Sequence, residues 1–195
     1  MSSVSPTARP AAPLVLADLV AGSWVRDVLL VLAGTGFVAL SALVQVPLPG
    51  TPVPLTLQTF AVLLTGAALG WQRAVPSMVL YAAAGAAGVP WFADGTSGWA
   101  FASFGYILGF ILAAAVVGRL AAARGDRTVA RTGLTMLVGT LSIYALGVPV
   151  LMAVTGLGFG AALAAGVVPF LIGDAIKVAL AAGLLPMTWK LVGSR

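Results

Sequence analysis

The chain has 195 residues, 61% of them hydrophobic and only 8% charged, with a mean hydropathy of +1.10. Soluble domains carry about 25% charged residues, so the composition describes one all-α integral membrane domain with little left over for a soluble one. The lack of Cys, His and Glu excludes disulfides, thiol or imidazole chemistry and the usual zinc sites, and the net charge of +5 lies beside apolar spans rather than on a nucleic-acid-binding surface.

Residues 1–26 read as an amino-terminal tail. Met1 to Pro13 is rich in Ser, Pro and Ala and has the composition of a disordered segment. Leu14 to Trp24 is short and apolar but holds Asp18, which predicts a small amphipathic helix in the membrane interface. A six-helix membrane domain follows over residues 27–190, and residues 191–195 form a second tail.

Span 1, Val28 to Val46, is long enough to cross a hydrocarbon core of ~30 Å. Its small residues, including Gly34, Thr35 and Ala39, allow close helix approach, within this bundle or against another membrane protein. The segment Pro47–Pro54 holds four prolines and no charge, which predicts a stiff extended hairpin. Span 2 runs from Leu55 to Trp71 with Thr56, Gln58 and Thr59 near its start. Gln58 suits a helix–helix hydrogen bond and a ligand contact equally. Gln72-Arg73 is read as a charged turn. Span 3, Val75 to Val89, is interrupted by Pro76, Gly85 and Gly88, as are the spans from which transporters build sites. The loop Pro90–Ser103 mixes Trp91, Phe92, Trp99 and Phe101 with Asp94, which fits an interfacial belt or a lid over an apolar ligand. Span 4 is Phe104 to Leu120, span 5 is Leu134 to Val154 with a kink expected at Pro149, and span 6 is Val167 to Trp189.

Six alternating spans put Arg9, Arg26, Arg73, Arg119, Arg124, Arg127, Arg131, Lys190 and Arg195 on the side shared by both termini. The positive-inside rule makes that side cytoplasmic, in a multi-pass protein of the cell membrane. The remaining basic residue, Lys177, lies inside span 6 with Asp174. An ionised group at helix centre costs ~2.5–3.5 kcal/mol on insertion scales. Three residues apart, the two share one helix face, and Asp174 sits roughly 10 Å in from the outer end at 1.5 Å per residue. Either the pair is self-satisfied and locks span 6 to its neighbours, or it meets a polar small molecule entering from outside. No G-x-x-x-x-G-K-[ST] is present and no nucleophile–base pair can be assembled, so capture of a solute fits better than enzymatic chemistry.

The motifs P-V-P-L-T-L-Q-T-F (52–60), Y-A-A-A-G-A-A-G-V-P-W-F-A (81–93), G-Y-I-L-G-F (105–110) and P-F-L-I-G-D-A-I-K (169–177) resemble the BioY family. These are the biotin-specific S components of energy-coupling-factor (ECF) vitamin transporters. The resemblance implies a six-transmembrane-helix bundle of the ECF S-component type, with both termini cytoplasmic and biotin bound near the outer face as transported ligand, without a cofactor. It implies that Asp174 and Lys177 contact biotin, and that Gln58, Tyr106 and the loop residues Trp91, Phe92 and Asp94 line the same cavity. It further implies docking of a membrane T component on the small face of span 1, at Gly34, Thr35 and Ala39, with cytoplasmic ATPases supplying the energy. Two departures stand out: the family's G-G-Y reads Phe104-Gly-Tyr, and Ile107 stands where some members place an Arg. Lys177 is then the only cation near the ligand carboxylate. The alternatives are an S component for another vitamin and a structural membrane protein with an internal Asp–Lys pair.

Overall fold

The computed structural model describes residues 15–20 and 22–193. The expected disordered tail, with Arg9, and the terminal Arg195 lie outside the described residues. The described chain is a helical bundle: α1 (Trp24–Ala42), α2 (Gln58–Leu69), α3 (Trp71–Ala86), α4 (Phe104–Ala122), α5 (Val129–Thr155), α6 (Phe159–Gly166) and α7 (Leu171–Gly193). Between α1 and α2 the proline segment is closed by two short antiparallel strands, β1 (Gln45–Val46) and β2 (Leu55–Thr56), with Gln45 opposite Thr56.

Local chemistry sets the boundaries. The Ser23 hydroxyl accepts the Arg26 N–H at 3.2 Å and starts α1, and the Thr128 hydroxyl does the same for Arg131 at 3.4 Å at the head of α5. The turn between spans 2 and 3 comes earlier than Gln72-Arg73. It is the single residue Gly70, at φ +73, and Trp71, Gln72 and Arg73 already form the first turn of α3. Positive φ is cheap only for glycine, which is why the corner falls there. The expected interfacial helix is instead one 3₁₀ turn, Leu16–Leu19, with Val15 and Ala17 buried. Arg73 fastens it, bonding Asp18 at 3.0 Å and Asp27 at 2.8 Å. The Gly-rich segment before span 6 holds α6 and a 3₁₀ turn, Val168–Phe170, so α7 begins at Leu171. Pro149 lies inside α5, which continues to Thr155.

Helix α4 is the axis of the bundle, made so by its glycines. A Cβ on Gly109 would stand 2.6 Å from the Ile143 carbonyl of α5, and one on Gly118 would stand 2.3 Å from the Trp71 amide of α3. Such backbone contact is how helices gain packing energy where lipid removes the hydrophobic drive between them. At the periphery, α7 exposes Ile172, Ile176, Leu180, Leu184 and Met187, and α1 exposes Leu29, Leu32 and Leu40. Among the described residues, four helical stretches have the length and hydropathy to cross a membrane: α1, α4, α5 and Phe159–Val192. Helix α2, with 12 residues, and α3, with 16, are shorter.

Between α4 and α5 the chain turns tightly. Arg124 takes φ +65, its N–H donates to the Ala121 carbonyl at 2.8 Å, and the Gly125 N–H reaches the Leu120 carbonyl at 2.7 Å. This paired closure satisfies the last carbonyls of α4. It also buries Asp126 completely, where the Trp189 indole of α7 donates to Oδ2 at 2.6 Å. The far end of α7 is thereby pinned to the α4–α5 turn.

Candidate functional site

At the opposite end of the bundle a cavity opens between the β1–β2 hairpin, the start of α2, α4, α5 and α7. The hairpin contributes Val53, Pro54 and Leu55, α4 contributes Tyr106, Ile107 and Phe110, and α5 contributes Tyr144. From α7 come Asp174 and Lys177, both buried and turned away from the lipid-facing stripe of that helix. Gly173 allows α7 to close on the hairpin, since a Cβ there would meet Leu55 at 3.1 Å.

The Lys177 ammonium donates to the Thr59 hydroxyl at 2.7 Å, the Thr56 carbonyl at 2.9 Å and Asp174 Oδ1 at 3.4 Å. Its three protons thus have three acceptors. On the other side of the pair, the Tyr144 hydroxyl donates to Asp174 Oδ2. Desolvating two charges costs several kcal/mol per ion and is offset only with good hydrogen bonding. The surrounding hydroxyls and carbonyl provide that bonding. What results is a polar corner, one acceptor beside one donor, in an otherwise apolar chamber. Such a corner can orient a small molecule that carries both an acceptor and a donor.

Tyr106 borders the cavity with its ring, while its hydroxyl donates to the Gly166 carbonyl at 2.8 Å. Glycine at 166 and 147 makes room for it, because a Cβ at either position would fall 2.4 or 2.6 Å from Tyr106. Gln58 also borders the cavity, and its amide donates to the Tyr81 hydroxyl at 2.7 Å, so it bonds a neighbouring helix as well. Trp91 and Phe92 do not border the cavity. Trp91 stacks on Tyr81 with centroids 5.3 Å apart, and its indole N–H donates to the Tyr81 carbonyl at 3.1 Å. Phe92 fills the notch left by Gly85, where a Cβ would lie 2.0 Å from its ring. Asp94 is exposed outside the cavity and exchanges two hydrogen bonds with the Gln45 amide, at 2.8 and 3.0 Å. The loop therefore reaches the cavity through Ala93 and Ser103, and its aromatic side chains fix it to α3.

On α1, Gly34 and Thr35 are buried inside the bundle. Thr35 donates to the Ser77 carbonyl of α3 at 3.0 Å, and a Cβ on Gly34 would lie 2.7 Å from the Ser77 hydroxyl. Ala39 is half-buried. Among the described residues no three His, Cys, Asp or Glu side chains gather to hold a metal ion.

Sequence reasoning passed over Tyr144, whose contact with Asp174 makes it part of the polar corner. A phenol in the middle of an apolar span was the available signal, by the rule that singled out Asp174. The chain has three tyrosines, and all three hydroxyls bond at or next to this site.

The sequence model of the BioY family matches residues 9–194. A probable biotin transporter BioY of Pyrococcus horikoshii is 38% identical over 149 residues, covering 74% of this chain and 86% of that protein. The biotin transporter BioY of Rhizobium etli is 34% identical over 168 residues, 80% of this chain and 89% of that protein. The biotin transporter BioY of Thermotoga maritima is 36% identical over 151 residues, 76% and 86% respectively. Among solved structures, that of the S-component for biotin from an ECF-type ABC transporter superposes with a TM-score of 0.76 at 20% identity. It covers 87% of this chain and 95% of that chain. The bundle is thus the ECF S-component fold.

Proposed function

This chain belongs to the BioY family, and we propose that it is the biotin-binding component of a vitamin uptake transporter, with Asp174 and Lys177 as the polar corner that holds biotin. The observation that carries this reading is the lining of the cavity, apolar on most sides, with one buried carboxylate and one buried ammonium on its wall. A bicyclic urea with an apolar chain offers N–H donors and a carbonyl acceptor for the corner and apolar surface for Ile107, Phe110 and Phe170. Tyr106 and Gln58 border the same chamber. Trp91, Phe92 and Asp94 serve it indirectly, by seating the loop that contributes Ala93.

Biotin enters from outside, and both termini are cytoplasmic, in a protein that crosses the membrane six times. The basic residues support this orientation. Arg73 bonds Asp18 and Asp27, Arg119 lies over the Trp71 ring, and Arg127 lies over the Trp189 ring, all at the end away from the cavity. The chain carries no P-loop, so delivery draws energy from a membrane T component and cytoplasmic ATPases. The exposed strip of α1 around Leu32, Phe37 and Leu40, with Ala39 at its edge, is the surface we assign to the T component. Gly34 and Thr35 act behind it by holding α1 to α3. Calorimetry of the purified protein with biotin and a panel of other vitamins tests the assignment. Saturable heat with biotin alone is expected; preference for another vitamin, or no binding of any, refutes it.

A further inference from the structure

We propose that Tyr144 is a positioning residue that holds Asp174 away from Lys177, so that the two meet a ligand as a separate acceptor and donor rather than as a closed ion pair. The inference rests on the reading of that pair as the binding corner.

The distances carry it. Lys177 stands closer to its α2-side partners, 2.7 Å from the Thr59 hydroxyl and 2.9 Å from the Thr56 carbonyl, than to Asp174, at 3.4 Å. Charge-assisted N–H···O bonds normally close to about 2.7–2.9 Å, so the pair is stretched. Asp174 is held from the α5 side by the Tyr144 hydroxyl. The cation is drawn toward α2 and the anion toward α5, with the cavity in front of both.

Nothing in the helix itself enforces this separation. Residues three apart lie within side-chain reach on one face, and poor screening in an apolar chamber favours contact. Tyr144 can resist closure because its own place is fixed. Its ring meets Tyr106 edge-on, centroids 6.3 Å apart at 88°, and Tyr106 is anchored through its hydroxyl to Gly166. Removing only the Tyr144 hydroxyl leaves that packing in place and frees Asp174 to move onto Lys177. A ligand would then have to break a tight pair before it could bind.

The test is Tyr144→Phe, made together with Lys190→Arg so that Lys177 is the only lysine in the chain. The ¹⁵N signal of the Lys177 ammonium is recorded without ligand, and biotin affinity is measured by calorimetry. The Lys177 signal is expected to move relative to the Lys190→Arg parent, the unfolding temperature to stay close to the parent's, and biotin affinity to fall about tenfold, as for loss of a bond that orients a charged group. An unmoved lysine signal overturns the proposal, and so does a moved signal with parental biotin affinity. If the parent itself takes no biotin, the functional reading fails, while the lysine signal still decides the positioning role.

Discussion

Replacing Lys177 by Met removes the ammonium and keeps an apolar stem of similar length, which isolates the charge from the packing. Two effects follow, and they separate. Binding loses one charge-assisted contact to the ligand, ~1.5–3 kcal/mol, or roughly 10- to 140-fold in Kd at 1.4 kcal/mol per decade. Folding suffers as well, because Asp174 is left buried with the Tyr144 hydroxyl as its remaining partner, and the Thr56 carbonyl and Thr59 hydroxyl lose their donor. Breaking one side of a buried pair costs ~3–5 kcal/mol; the 3.4 Å separation places this pair at the low end. The assay is therefore double: calorimetric titration with biotin on the folded fraction, and thermal unfolding in detergent with and without biotin. A second variant, Asp174→Asn with Lys177→Met, should recover much of the lost stability and none of the lost affinity. Wild-type affinity in Lys177→Met would refute the binding role. Recovery of both stability and affinity in the double variant would show that the pair serves only to lock α7.

At the α4–α5 crossing, Gly109→Val forces a side chain against the Ile143 carbonyl, 2.6 Å from the Cβ position. Overpacking of this kind costs ~1–3 kcal/mol and should lower the unfolding temperature. Trp189→Phe deprives the fully buried Asp126 of its 2.6 Å donor; a loss of ~1–3 kcal/mol is expected in chemical denaturation, and an unchanged midpoint would show that the contact is dispensable. Burial pushes Asp126, in the α4–α5 turn, up from its ordinary value of 3.8; its contribution is complete below 3.8 and is lost as the pH climbs through the raised value, so Asp126→Asn should flatten that limb of a stability–pH curve. Orientation is open to cysteine labelling, since the chain has none of its own. In intact cells Ser97→Cys should react with an impermeant maleimide and Lys190→Cys should not, and the reverse would invert the topology.

Much of this protein is legible in its residues alone. A charged fraction of 8% fixes the solvent as lipid. The one-sided basic residues predict an orientation for the labelling experiment to test, and two ionisable groups in span 6 mark a face that cannot look at hydrocarbon. Each of these follows from the cost of charge in oil, which depends on composition and local spacing and so can be read along one dimension. Chain folding decided what surrounds that face. Nothing in the string V-V-P-F-L-I-G-D-A-I-K says that Thr59 of α2 and Tyr144 of α5 arrive at the same corner, or that Phe92 turns from the cavity into the notch at Gly85. The corner between α2 and α3 likewise needed one residue at positive φ, and both Gly66 and Gly70 were available to supply it. Which side chains converge is set by helix crossings, and these depend on where backbones approach closely, as at Gly109 and Gly118 of α4. Sequence determined that a polar pair must be sheltered; only the packing of four helices around it determined by what, because close approach belongs to pairs of helices and not to any one of them.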